Sequence, residues 1–221
     1  MALILNIDTA IDKASICLTR DGSVIDQAES TNPRAQSGWL HPAIEKLMLQ
    51  NSMSIAAIDA VAVSMGPGSY TGLRIGLSTA KGLCYSLNKP LIALSTLEVM
   101  ASAIKAMDDY LLCPMIDARR MEVYTAIYTP SLEIIIAPTA KVLDSQSFDL
   151  HLEKNKILFF GNGSQKMKNL TNHVNAFFAE QNIGAVEMVA LAEKKFQNGE
   201  FADLAYSEPY YLKDFYSSSH F

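Results

Sequence analysis

The chain has 221 residues, 49% hydrophobic and 19% charged, and its formal net charge is −5. That length buries one large core or two modest ones; no apolar run approaches the ~18 residues of a membrane span, and the acidic balance excludes strong unaided binding to nucleic acid, whose affinity comes from Lys and Arg clustered on phosphates. The three cysteines, Cys17, Cys84 and Cys113, sit inside apolar patterns and are odd in number, so no disulfide framework is expected. The opening MALIL reaches Asp8 too soon for a signal peptide, and a reduced cytoplasmic setting follows as the expectation.

Leu3 to Asp8 is an apolar run ending in Asp, and Ala14 to Thr19 is a second strand-like run. The turn Asp21-Gly22 precedes a third strand, Val24 to Gln27. Leu40, Ile44, Leu47 and Met48 recur at helical spacing, which predicts a helix from Ser37 to Gln50 with Pro42 tolerated in its first turn. A strand beginning at Val61 runs into a glycine-rich loop, Gly66-Pro67-Gly68-Ser69-Tyr70-Thr71-Gly72, where Ser69 or Thr71 can cap a helix starting near Leu73. Pro90 to Leu94 is another buried strand and Thr96 to Met107 a linking helix. The opening pattern then repeats: Leu112 to Asp117 again ends in Asp, Val123 to Tyr128 follows at the same offset, and Ile134 to Ala137 is the third strand. Ile157 to Phe160 stops at Gly161-Asn162-Gly163, Ala185 to Gly199 reads as a helix ended by glycine, and Ser217 to Phe221 as a frayed end. Antiparallel meanders followed by helices, duplicated once, describe an α/β architecture of two actin-like (ASKHA, ribonuclease H-like) lobes. The expected lobes are residues 1–102 with about 205–221, and a smaller one of about 103–204.

In such a fold the turn after each first strand approaches nucleotide phosphates, so Asp8, Thr9, Asp117, Gly161 and Gly163 are the candidate cofactor-binding residues. No glycine lies between either Asp and the strand after it, and Ile11 and Arg119 are bulky enough to obstruct a phosphate. Tight ATP binding is therefore not expected, leaving weak or partner-dependent ATP or ADP. The competing role for both Asp residues is to accept N–H bonds from their own turns, and for Gly161-Asn162-Gly163 to be a plain turn. The loop is no P-loop, because no glycine pair has the required spacing and Leu73-Arg74 follows Gly72. Ser69 lacks the flanking glycines of a nucleophile elbow. His41, His151, His173 and His220 lack metal-ligand spacing, so no metal site is expected. The basic pairs Arg119-Arg120, Lys166 with Lys168, and Lys194-Lys195 read as solvated surface.

The run GPGSYTGLRIGLSTAKGL (Gly66 to Leu83) resembles the TsaB family, also called YeaZ. The resemblance extends to ILNIDTA (Ile4 to Ala10), LIALSTLEVMA (Leu91 to Ala101), IDARRMEVY (Ile116 to Tyr124), the GNG at 161–163 and PYYL (Pro209 to Leu212), with Thr129 to Phe159 and Ser164 to Glu208 least matched. It implies an actin-like, noncatalytic subunit that pairs with a catalytic TsaD-type relative, forms homodimers through a similar face, and works with a TsaE-type ATPase in transferring a threonylcarbamoyl group to tRNA adenosine. Tyr70 where the family usually has Phe and Lys213 where Arg is frequent are conservative departures; Gln36 where members often show His is a larger one.

Surplus apolar and small residues on the two helices of the first lobe mark the docking surface, about 800 Å² per partner. Its expected members are Leu40, Ile44, Leu47 and Met48 on the first helix, with Arg74, Gly76, Thr79, Ala80 and Leu83 on the second and Gly66 and Gly68 shaping the approach. Gly82 shares the small-residue stripe, whose other role is packing on the chain's own sheet. By the same resemblance Arg119, Arg120 and Glu122 face the third component, and tRNA is met only through the complex.

Overall fold

The computed structural model describes residues 2–11, 13–32, 36–104, 109–181 and 183–213, with Gln36 described in its backbone alone. The frayed end expected at 217–221 and the side chain of Gln36 lie outside the described residues.

The first sheet holds β1 (Leu3–Asp8), β2 (Ser15–Arg20), β3 (Ser23–Glu29), β4 (Ala60–Ser64) and β5 (Leu91–Leu94), in the order β3-β2-β1-β4-β5. The first three form an antiparallel meander, and β4 and β5 add in parallel. The second sheet repeats that order: β6 (Tyr110–Asp117), β7 (Glu122–Tyr128), β8 (Ile134–Val142), β9 (Lys156–Phe160) and β10 (Ala176–Ala179) lie as β8-β7-β6-β9-β10. Asp8 pairs with Ser15 and Asp117 with Val123, so the two Asp residues occupy equivalent strand ends. The duplicated two-lobe fold expected from the repeated Asp-ended strands is the fold observed.

Every residue of β1 and β4 is buried, as parallel strands covered on both faces must be. One face carries α1 (Gln36–Gln50) and α2 (Tyr70–Leu87), which pack on each other and bury Leu40, Leu47, Leu77 and Ala80 against Leu5 and Val63. α2 begins at Tyr70, ahead of the expected Leu73, because Ser69 Oγ accepts the Gly72 N–H at 3.2 Å. It ends at Asn88 in the left-handed region.

The last helix of each half crosses to the other lobe. α3 (Thr96–Ser102) packs on β6 and β7, burying Leu97 and Met100 against Ile116 and Phe160. Its expected extension to Met107 runs beyond Ser102 into residues 105–108, which are outside the description. α4 (Asp149–Leu152) and α5 (Ser164–Lys168) lie against the second sheet. α6 (Val189–Asn198) starts four residues later than expected and ends at Gly199, as the glycine required. It packs on β1 and β5, with Met188, Leu191 and Ala192 against Ile4 and Ile92. Ala185 and α6 thus pack on the first sheet, the amphipathic face of the helix covering that sheet's second face.

Candidate functional site

At the first turn, Ser64 Oγ donates to Asp8 Oδ1 at 2.5 Å and the Ala10 N–H donates to the same oxygen at 3.0 Å. Burial pushes the Asp8 carboxyl above its ordinary 3.8, against the opposing pull of those two donors. Thr9 is buried and its hydroxyl donates to the Gly72 carbonyl at 2.7 Å. The glycine loop closes around this turn. A β-carbon at Gly68 would overlap the Ala10 carbonyl, one at Gly76 would overlap the Thr9 hydroxyl, and one at Gly66, at φ +113°, would stand 2.7 Å from the Tyr210 carbonyl.

The second turn is more open. Lys166 Nζ donates to Asp117 Oδ1 at 2.8 Å, the Arg119 N–H donates to it at 2.6 Å, and Asn162 Oδ1 accepts the Asp117 N–H at 2.9 Å. Desolvation raises the Asp117 carboxyl, but the Lys166 ammonium and the Arg119 amide outweigh it and hold the group below 3.8. Arg119 and Arg120 stand at φ +69° and +48°, so this turn takes the left-handed backbone without glycine. Gly161, at φ +93°, lies so that a β-carbon would meet the Met115 carbonyl at 2.5 Å, and one at Gly163 would be 3.1 Å from the Asp117 nitrogen. Both glycines thus permit close approach of backbone to β6.

Between the turns lies a cleft of about 170 Å³ lined by Ile11, Lys13, Met100, Gly161, Asn162 and Gln181. Small-molecule sites usually enclose about 300–1,000 Å³. Of the five candidate cofactor-binding residues, Gly161 lines this cleft; the Asp8 and Thr9 side chains are bound inside the chain, and Ile11 stands on the cleft wall.

The expected docking residues divide. Leu40 and Leu47 are core residues, and Thr79 and Ala80 are buried under α2. Gly66, Gly68 and Gly76 face the chain's own backbone and side chains. The small-residue stripe serves this packing because the helix must pass over the first turn at van der Waals distance. What reaches the surface is an apolar groove between α1 and α2, about 360 Å³, floored by Ile44 and Met48 and walled by His41, Leu49 and Leu83. Leu49 is 70% exposed, and nothing lies within 4 Å of a β-carbon at Gly82.

Arg74 lies at the surface, its guanidinium 4.1 Å from the centre of the Tyr70 ring, and its Nε donates to Tyr211 Oη at 3.0 Å. Tyr211 belongs to a C-terminal segment fastened across the first lobe: the Ala202 N–H donates to the Leu91 carbonyl, Lys81 Nζ to the carbonyls of Ala205 and Ser207, and the Tyr210 N–H to the Met65 carbonyl. Two residues past Tyr211, Lys213 forms an ion pair with Glu122 of β7. Arg119 and Arg120 are exposed, as expected, while Glu122 is engaged by Lys213. Sequence reasoning missed Lys166, read as solvated surface, as the partner of Asp117, and missed the C-terminal segment as the closure of the Gly66 loop. Only the PYYL run pointed to the latter.

Two sheets of one order, equivalent Asp-ended strands and helices exchanged between halves define a protein of the actin-like, two-lobe α/β class. The model of a family described as "TsaD: tRNA N6-adenosine threonylcarbamoyltransferase" matches residues 30–215. The tRNA threonylcarbamoyladenosine biosynthesis protein TsaB of Bacillus subtilis is 32% identical over 95% of this chain and 93% of its own length. Its Escherichia coli namesake is 30% identical over 96% and 94%. YeaZ from Pseudomonas aeruginosa superimposes with a TM-score of 0.80 at 25% identity, covering 96% of this chain and all of that one. The chain belongs to the TsaB (YeaZ) family. An activator of 2-hydroxyisocaproyl-CoA dehydratase from Clostridium difficile shares the fold alone, with a TM-score of 0.50 at 8% identity.

Proposed function

We propose that this chain is a noncatalytic subunit in the synthesis of N6-threonylcarbamoyladenosine in tRNA, docking through the α1–α2 groove onto a catalytic subunit of TsaD type. Membership of a family whose curated relatives are named for that biosynthesis supports the pathway. The noncatalytic role rests on one observation. The polar groups that an actin-like phosphotransferase would turn toward a nucleotide are consumed within the chain: Asp8 by Ser64 and Ala10, Thr9 by Gly72, and Asp117 by Lys166. Nucleotide binding by this chain alone is then weak, and ATP or ADP binding depends on the partner. A TsaE-type ATPase completes the assembly, a second copy of the chain competes for the same groove, and tRNA is met within the complex, in the cytoplasm.

The test is product formation on a tRNA transcript with purified components, with the chain present or omitted. Product lost on omission, and none from the chain alone, is the expected result; equal product in both reactions overturns the reading. The competing reading is a stand-alone nucleotide-dependent phosphotransferase using Asp8, Thr9, Asp117, Gly161 and Gly163. Micromolar binding of ATP and magnesium to the isolated chain by calorimetry would favour it.

A further inference from the structure

Residues 210–213 are seated on both lobes. On the first lobe the Tyr210 N–H donates to the Met65 carbonyl at 2.7 Å. The opening turn of α2 holds the next residue: Arg74 Nε donates to the Tyr211 hydroxyl at 3.0 Å, and the Tyr70 ring lies 5.1 Å from the Tyr211 ring. On the second lobe Lys213 pairs with Glu122. Two residue steps separate Tyr211 from Lys213, at most about 7 Å of extended backbone, so the chain between the two seats has little slack.

Each seat is built into one of the Asp-bearing turns. Met65 leads into the glycine loop, where the Ser69 N–H donates to the Ala10 carbonyl at 2.7 Å, beside Thr9 and Asp8. Glu122 closes the second turn with all of its polar groups. Its N–H donates to the Arg119 carbonyl at 3.1 Å, its carbonyl accepts the Ala118 N–H at 3.1 Å and Lys166 Nζ at 2.8 Å, and its carboxylate takes Lys213. Lys166 carries the contact on to Asp117 Oδ1 at 2.8 Å. A continuous series of contacts thus runs from Arg74 through Tyr211, Lys213, Glu122 and Lys166 to Asp117. The Glu122 side chain is 14% exposed and that of Lys213 40%. A carboxylate so far out of water needs its cation, while a cation so exposed is held weakly enough to leave and return.

We propose that residues 210–213 are a latch between the lobes, with a fastened and a released state, that couples the exposed start of α2 to the turn carrying Asp117. Moving Arg74 or Tyr211 loosens the second turn, and moving Glu122 loosens the seat on the first lobe. Such coupling is reciprocal by thermodynamic necessity, and reciprocity is what separates it from mere adjacency. Every residue involved belongs to this chain, so the latch stands or falls separately from the pathway proposed above.

The experiment is amide hydrogen exchange of the full chain, read residue by residue by NMR. Lys213→Met, at the second-lobe seat, should speed exchange at Ala118 and Glu122 and also at Tyr210. Arg74→Met, at the first-lobe seat, should speed the same three amides, each by roughly three-fold or more, because releasing either end frees both. The β4 amides should exchange as in wild type. Exchanging the charges, Lys213→Glu with Glu122→Lys, should restore slow exchange. Effects confined to the lobe that carries the substitution overturn the proposal, because the two seats are then independent contacts. So do single variants that exchange as wild type does, and a charge exchange that leaves all three amides fast. Faster exchange throughout β4 overturns it too, since the segment is then a general brace of the fold.

Discussion

Thr9 and Gly76 interlock where α2 passes over the first interlobe turn: the Thr9 hydroxyl donates to the Gly72 carbonyl at 2.7 Å, and a β-carbon at position 76 would overlap that same hydroxyl. A glycine in mid-helix costs about 1 kcal/mol of helix propensity relative to alanine, and this one is tolerated because nothing larger fits. Gly76→Ala is expected to destabilise by about 1–3 kcal/mol through overpacking, and Gly76→Leu to disrupt folding before association. Because Thr9→Ala removes the overlapping hydroxyl, the double variant with Gly76→Ala should be more stable than the sum of the single changes. Urea unfolding of the four proteins checks this, and strict additivity would contradict the interlock.

Gly82 sits one turn and a half further along the same helix with open space beside it. Gly82→Ala should stabilise by roughly 0.5–1 kcal/mol. Under the function proposed above, Gly82→Leu and Leu49→Asp should each weaken association with a TsaD-type subunit at least ten-fold while leaving the melting temperature within a few degrees of wild type. Size-exclusion chromatography of the mixed subunits reads the association, and full association by both variants would move the docking surface off the α1–α2 groove.

The two strand-end carboxylates should respond to pH with opposite sign. Asp8 has a folded-state pKa raised by burial, so its contribution is fully present below 3.8 and is lost as pH rises through the folded value. Asn at this position keeps an oxygen to accept both donors, so Asp8→Asn should match wild type in acid and exceed it at neutral pH. Asp117 has a lowered value, and its contribution is present above 3.8 and lost as pH falls through the folded value. Asp117→Asn should therefore be the less stable protein at neutral pH, by less than about 1 kcal/mol for so exposed an ion pair, with the gap closing in acid. Denaturant titrations between pH 3 and 8, roughly the range in which carboxylates and then histidines change charge, measure both gaps.

All three cysteines are free and buried, and desolvation pushes Cys17 and Cys113 up to about 12 and Cys84 to about 11. The thiolate is the reactive form. At pH 8 the folded protein should show no rapidly reacting thiol toward a disulfide reagent, and all three should react in urea. A fast thiol in the folded state would mean that one of these sites opens locally.

The amino-acid pattern by itself determined the repeat. Asp8 and Asp117 close equivalent apolar runs, each followed at the same offset by a second strand, and β pairing in register turned that repeat into two sheets of one order. It also determined the glycine loop and its helix, because Ser69 and the glycines carry local backbone requirements that neighbours do not override. The short β10, α4 and α5 carry too few residues for a period to show. Which face each glycine of α2 presents was not legible, since small residues suit a partner helix and the chain's own first turn equally, and only the position of Thr9 decides between them. The burial of Leu40 and Leu47, the crossing of α6 onto the first sheet and the Lys213–Glu122 contact were likewise decided by tertiary structure, because each joins residues far apart in sequence through surfaces whose partners no local pattern specifies.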